Sequence, residues 1–369
     1  MKTPETIPHS LALVLDASGN SGPLRQQKAL LKSFAAAGVR CIYIRGVRAT
    51  LRDPDTTNEL HDAAVRTGSV TDGYRGIFNA ISELSNLMSA NDCQIMQTHG
   101  SRAALLAFGV RWLFRRKVRW IAFFHGLTYE SWRVRLLDRL AIVAMHSADQ
   151  VVVVAEAQRN IFARKNDVQH VPNAVLDTVS VESRSDDREG LVFIGRLSPE
   201  KNIYGLLKAM SQLPPEGRSN LRIYGDGPES RSLAGWIDEM GLKEHVQFMG
   251  TSTDVRTILM RARAVVLPSL SEGMPNILLE AVAARCRVVA TPVGDVPRIM
   301  NEHSGIGTLA SGTQERDIAA AISAELTGER ESIEMREAIE LLRTFSLENR
   351  VRLLSEIYLK TLRPEQASR

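Results

Sequence analysis

Glu272 and Glu280 stand eight residues apart in the segment Ser269-Leu-Ser-Glu-Gly-Met-Pro-Asn-Ile-Leu-Leu-Glu280. The apolar run ending at Leu267 reads as a buried strand, and the helix pattern that follows starts near Pro275. Proline suits the first helical turn, where its missing N–H costs nothing. The N–H groups around Asn276, Ile277 and Leu278 are then left unpaired and carry positive partial charge. That makes an anion site at the carboxyl end of a strand of parallel type. Gly273 lets a ligand come close to the backbone. A carboxylate repels phosphate but accepts paired hydrogen bonds from sugar hydroxyls. Two carboxylates flanking an anion site therefore suit a ligand with a hydroxylated ring on each side of a phosphate, which describes a nucleotide-sugar.

Cations for such a ligand stand in Gly195-Arg-Leu-Ser-Pro-Glu-Lys-Asn202, between a strand and a helix pattern. Arg196 can fork onto phosphate oxygens and Lys201 adds a point charge. Together they could neutralise a diphosphate leaving group without a metal. Gly225, in Tyr224-Gly-Asp-Gly-Pro-Glu229, and Gly250, in Phe248-Met-Gly-Thr251, mark two more strand-end loops. Asp226 reads more simply as a loop cap. Asp53-Pro-Asp55 has the spacing of a metal-holding acid pair but sits in a polar stretch and reads as a loop. The histidines form no spaced metal-ligand cluster.

The elements that must position these residues form two series. In the first half, apolar runs at Leu11–Leu15, Val39–Ile44, Gln94–Thr98, Val118–Phe124 and Gln150–Val154 alternate with helix patterns. The first helix pattern runs to Ala37 and is stopped by Gly38. Leu176–Gly190 lacks apolar periodicity and reads as a linker. A second series follows, with strands expected at Leu191–Ile194, Leu221–Tyr224, Val246–Met249, Ala264–Leu267 and Val288–Ala290, and a last helix at Leu347–Leu362. Two consecutive α/β domains are the simplest architecture.

Composition agrees. The chain has 369 residues, 44% apolar and 24% charged, which excludes a disordered tail and a disulfide mini-protein. Three cysteines without a CxxC pair fit a reducing cytoplasm. No apolar run approaches a membrane span, and the polar first residues do not read as a signal peptide. Residues 1–180 hold 22 Lys and Arg against 15 Asp and Glu, while the remainder is slightly acidic. A basic half attracts phosphate, anionic lipid or nucleic acid. The stretch 111–120, Arg111-Trp-Leu-Phe-Arg-Arg-Lys-Val-Arg-Trp120, reads either as a dock for an anionic membrane face or as a solvated helix end running into a buried strand. No nucleic-acid-binding motif accompanies the charge, so nucleic acid is not an expected partner.

GRLSPEKN, YGDGPE, VQFMG and SEGMPNILLEAVA, in that order and spacing, resemble the donor domain of glycosyltransferase family 4 (glycosyl transferases group 1), a set of retaining enzymes. The resemblance implies an α/β fold of GT-B type, with two Rossmann-like doubly wound domains facing across a cleft. It places an acceptor-binding domain at 1–178, a donor-binding domain at 186–345, and a final helix at 346–369 packing back on the first. Glu272 would contact the transferred sugar and Glu280 the ribose. Arg196 and Lys201 would grip the diphosphate, and backbone amides near Met274–Ile277, a donor-binding stretch of Met274, Pro275, Asn276 and Ile277, would contact sugar and phosphate. In the first domain, Thr98-His-Gly-Ser-Arg-Ala103 and Phe124-His-Gly-Leu-Thr128 resemble family segments. His125 corresponds to the histidine lining the catalytic cleft, and Gly19 to a glycine in the loop beside the diphosphate. Ala174, in Val171-Pro-Asn-Ala-Val175, replaces a usual glycine, and Arg298 stands where a glutamate is frequent. The implied activity is retaining transfer of a hexose from a UDP- or GDP-sugar, without cofactor or metal, to a glycan, lipid-linked or small-molecule acceptor. Cell-envelope or polysaccharide synthesis in the cytoplasm, at the inner membrane face, is the expected setting. The competing expectations are an epimerase or phosphorylase on the same scaffold, or a non-catalytic nucleotide-sugar-binding subunit.

Overall fold

The computed structural model describes residues 8–15, 22–47, 54–71, 76–113, 118–126, 132–163, 165, 167–176, 179, 188–214, 219–328 and 332–362. The chain divides into two compact units: residues 1–125, 132–173 and 347–369 form the first, and 126–131 with 174–346 the second.

Unit 1 alternates strands and helices: β1 (Ser10–Leu15), α1 (Gly22–Ala36), β2 (Arg40–Val47), α2 (Pro54–Asp62), β3 (Arg66–Thr71), α3 (Gly76–Ala90), β4 (Ile95–His99), α4 (Ser101–Leu113), β5 (Arg119–Phe124), α5 (Trp132–Met145), β6 (Gln150–Val153) and β7 (Val168–His170). The strands pair in parallel in the order β3-β2-β1-β4-β5-β6-β7. Every residue of β1 is buried, as expected of a strand covered on both faces. One face packs on α3, α4 and α5 through Ile81, Leu84, Ala104, Val110 and Ala141. The other packs on α1 through Leu30, Leu31 and Phe34. Gly38 adopts φ +85° after α1 and turns the chain into β2.

Unit 2 repeats the pattern with β8 (Leu191–Ile194), α6 (Ile203–Gln212), β9 (Leu221–Tyr224), α7 (Ser230–Glu239), β10 (Val246–Gly250), α8 (Val255–Arg261), β11 (Ala264–Leu267), α9 (Asn276–Ala283), β12 (Arg287–Ala290), α10 (Val296–Glu302), β13 (Gly307–Leu309), α11 (Glu315–Thr327) and α12 (Met335–Thr344). The order is β10-β9-β8-β11-β12-β13, again parallel. The chain then returns to unit 1 as α13 (Leu347–Leu362), whose Leu354, Ile357 and Tyr358 join the core under α1.

Three strands that apolar runs did not announce are β3, β7 and β13. Each lies at a sheet edge or is only three residues long, and β3 (Arg-Thr-Gly-Ser-Val-Thr) is mostly polar. An edge strand needs no continuous apolar run, because part of its surface meets water. In both sheets the strand order reverses at one point, between β1 and β4 and between β8 and β11. Ligands of open parallel sheets bind outside the carboxyl ends of the strands at such points.

Candidate active site

In unit 2 the reversal point gathers the residues singled out from the sequence. Lys201 closes a short 3-10 turn, Pro199–Lys201, after β8, and Glu272 lies in the loop after β11. Lys201 Nζ donates to Glu272 Oε1 at 2.5 Å, and Ser269 Oγ donates to the same oxygen at 2.7 Å. Both ion-pair partners are largely buried. The two loops are fixed to each other by backbone. Leu270 N donates to Glu200 O at 2.8 Å, and Asn202 Nδ2 donates to Pro268 O at 3.0 Å. Asn202 sits at φ 55°, a conformation asparagine tolerates, and its Oδ1 caps α6 through Gly205 N. From the adjoining strand end, Thr291 Oγ1 donates to Ser269 O at 2.5 Å.

Glu272 is followed by buried Gly273 and Met274, and Pro275 takes the N-cap position of α9 rather than a place in its first turn. Its ψ of 121° is extended, so the helix begins at Asn276. The side chain of the N-cap proline makes no hydrogen bond to this end. Asn276 Oδ1 is buried without a hydrogen-bond partner among the described residues. Glu280, one turn into α9, is half-buried. Gly294 presses on this loop: a Cβ there would lie 2.3 Å from Gly273 O and 2.6 Å from Glu272 O.

Arg196 is exposed on the loop after β8, close enough for its charge to help hold Asp226 below the usual carboxylate range. The larger causes there are hydrogen bonds from Ser230 Oγ and Gly227 N, so Asp226 does cap its own loop. Gly195, Gly225 and Gly250 meet at three neighbouring strand ends. Gly225 N donates to Gly250 O at 2.8 Å, and a Cβ on Gly225 would lie 1.8 Å from Gly195 O. Close passage of backbones explains at least Gly225 without any ligand. Arg298 is engaged on α10 with Asp295 and Glu302.

In unit 1, His125 directly follows β5 and lies beside His99, which ends β4. His99 Nδ1 lies 2.8 Å from His125 Nε2, and Gln97 Nε2 lies 2.7 Å from His99 Nε2. Tyr358 of α13 donates to Gln97 Oε1. An amide nitrogen can only donate, so His99 Nε2 accepts and its proton sits on Nδ1. That proton is donated to His125 Nε2, which leaves the proton of neutral His125 on Nδ1. Burial pushes His125 down to about 4, with the positive charge of Arg350 adding to the effect, and His99 well below its ordinary value. Arg350, from α13, is buried, and Nη1 donates to Asn173 Oδ1 at 2.9 Å, Pro172 O at 3.0 Å and Gln26 Oε1 at 3.3 Å. Ala174 is not among the residues with positive φ, so the alanine fits its turn.

Gly19, Asp53 and residues 177–178, 180–187 and 114–117 lie outside the described residues, as does the side chain of Asp55. In the rest of the basic stretch, Arg111 and Arg119 both pair with Asp149, and Trp120 is buried with Nε1 donating to Thr98 Oγ1. Trp112 and Leu113 are exposed.

Residues 178–340 match the family of glycosyl transferases group 1, and residues 22–177 match glycosyltransferase family 4. The chain belongs to glycosyltransferase family 4. Among curated relatives, D-inositol 3-phosphate glycosyltransferase of Mycobacterium ulcerans is 30% identical over 246 residues, covering 61% of this chain and 51% of the relative. The exopolysaccharide phosphotransferase SCO2592 of Streptomyces coelicolor is 32% identical over 155 residues, covering 42% of this chain and 16% of that protein. The chain thus spans about half, or much less, of these relatives. The family's GT-B fold is also that of Anabaena HepE in complex with UDP-glucose, with a TM-score of 0.77 at 18% identity, covering 95% of this chain and 99% of HepE. The sequence pattern led to the carboxylates and cations of this family member. It gave no sign of Ser269, Thr291, Gln97, Arg350 or Tyr358, which hold them or their neighbours, because single polar residues in apolar patterns carry no periodic signal.

Proposed function

We propose that this family member is a retaining, metal-independent hexosyltransferase. It would move a sugar from a UDP- or GDP-sugar to a hydroxyl of a glycan, lipid-linked or small-molecule acceptor, in polysaccharide or cell-envelope synthesis at the cytoplasmic membrane face. The observation that carries the reading is the Lys201–Glu272 pair beside Gly273 and the start of α9, whose N-cap is a proline without a capping side chain. A cation already held next to a sugar-binding carboxylate and a helix N-terminus suits a diphosphate joined to a hexose.

On this reading the diphosphate takes Lys201 and Arg196, and Glu272 turns to the hydroxyls of the transferred sugar. Asn276 Oδ1 offers a buried acceptor to a hydroxyl, and Glu280 holds the ribose. The bond from the anomeric carbon to the phosphate oxygen breaks as the bond to the acceptor oxygen forms on the same face. The acceptor proton passes to the departing phosphate, so no separate base is required. Negative charge grows on the diphosphate in the transition state. Lys201, Arg196 and the α9 amides stabilise it there more than in the ground state. His125, kept neutral, contributes a hydrogen bond to the sugar rather than a charge.

HepE holds UDP-glucose, which places that donor first in a panel of UDP, GDP and their sugars tested by thermal shift. A raised melting point with one diphosphate series, and product formed only when an acceptor is added, is the expected result. No shift with any nucleoside diphosphate sinks the reading. An altered sugar produced from donor alone would point instead to an epimerase.

A further inference from the structure

The outer face of α5 is apolar where a helix over a soluble α/β core is normally polar. Asp138, Ala141, Ala144 and Met145 face inward, and Asp138 accepts from Ser101 Oγ. Trp132, Leu136, Leu140 and Val143 are 65%, 50%, 51% and 71% exposed. At about 100° per residue these four fall within an arc of about 80°. Arg133 borders the arc on one side, and Arg139 and Arg135 on the other, all exposed. The helix carries no other carboxylate than the inward-facing Asp138. In the same helical layer, exposed Trp112 and Leu113 end α4, and Ile77 and Phe78 begin α3.

We propose that α5 is a membrane-docking helix that lies on an anionic phospholipid surface. An apolar strip edged on both sides by cations, with a tryptophan at one end, matches the boundary between acyl chains and negative headgroups. The arginines select among occupants. A second copy of this face would set three arginines against three arginines. A nucleic acid would satisfy the arginines and leave the apolar strip uncovered. An anionic bilayer satisfies both. In the 111–120 stretch, by contrast, Arg111 and Arg119 share the single carboxylate of Asp149. The docking surface is independent of the transfer reading, because none of its residues belongs to the candidate site.

Flotation of the full chain with lipid vesicles tests this. The protein should float with phosphatidylcholine vesicles enriched in phosphatidylglycerol, float poorly with phosphatidylcholine alone, and be released by high salt. The triple variant Arg133→Gln, Arg135→Gln, Arg139→Gln should bind roughly a hundredfold more weakly to anionic vesicles. Leu136→Gln with Leu140→Gln should abolish binding while the melting point stays within a few degrees, since both side chains are exposed. Absence of wild-type flotation on anionic vesicles, or undiminished flotation of both variants, overturns the proposal. So does concentration-dependent dimerisation abolished by the leucine variant in the absence of lipid, which would assign the face to a second copy.

Discussion

His99 Nδ1 and His125 Nε2 share one hydrogen bond of 2.8 Å at the ends of adjacent strands. The bond continues through Gln97 to Tyr358, so a residue of the last helix sets which nitrogen of His125 carries its proton. The expected tautomer is the Nδ1–H form, read from nitrogen-15 shifts of histidine-labelled protein. His99→Ala frees His125 to turn and to exchange tautomers. Turnover should fall by about a hundredfold with a smaller change in KM, the effect of a misplaced rather than a missing group. Tyr358→Phe should act in the same direction but more weakly. An Nε2–H signal on His125 in the wild type would show that the chain runs the other way.

The same pair links stability to pH. His125 is pushed down to about 4 in the fold, against 6.5 when unfolded. Between these values the unfolded chain binds a proton that the folded one refuses. Stability should therefore be fully present above pH 6.5 and decline as pH falls toward 4. Urea unfolding across that range checks this, and His125→Gln should flatten part of the decline. Over pH 6.5 to 8 the transfer rate should show no step assignable to His125, which stays neutral throughout.

Arg350 is a buried guanidinium whose described hydrogen bonds all go to neutral oxygens. Burial lowers it to about 10, still well above neutrality, so it stays charged. Its charge is one of the causes that depress both histidines. Arg350→Met keeps most of the volume and removes the charge. His125 should then titrate at higher pH, followed by NMR. Loss of the bonds to Asn173 and Gln26 should destabilise unit 1 by about 1–3 kcal/mol. An unmoved His125 titration would show that the guanidinium does not act on it.

Lys201 and Glu272 form an ion pair that joins two of the loops read from the sequence. Lys201→Ala leaves Glu272 with the hydroxyl of Ser269, and Glu272→Ala leaves Lys201 without its carboxylate. Each should reduce transfer by about a hundredfold or more, roughly 3 kcal/mol of transition-state stabilisation. The melting point should drop only modestly, because both groups keep some access to water. Full activity in either variant ends the assignment.

Central strands and the motif loops were legible because each has a local signature. Continuous apolar runs marked β1, β5, β6 and β11, and turn residues marked the loops after β8 and β11. Pro275 was misplaced by one position, since its φ suits both the N-cap and the first turn and only ψ separates them. The supporting contacts were illegible for another reason. Gln97 and Tyr358 are 261 residues apart, and nothing in either neighbourhood announces the other. The exposed face of α5 was hidden because an apolar helix pattern looks the same whether the core or a surface covers it.

The glycines of unit 2 allow structural and ligand roles to be separated. Gly225 has φ +147° and no room for a Cβ against Gly195 O, so Gly225→Ala should destabilise by about 3 kcal/mol or more. Gly250 has φ +70° but nothing within 4 Å of a built Cβ. Gly250→Ala should therefore cost only about 1 kcal/mol, the strain of a left-handed backbone. If Gly250 also gives the donor close access to the backbone, the alanine should weaken nucleotide-sugar binding by far more than its small loss of stability predicts. Calorimetric titration of the variant with UDP and GDP, beside its urea unfolding curve, distinguishes the two roles. Unchanged affinity would leave Gly250 as a turn residue alone.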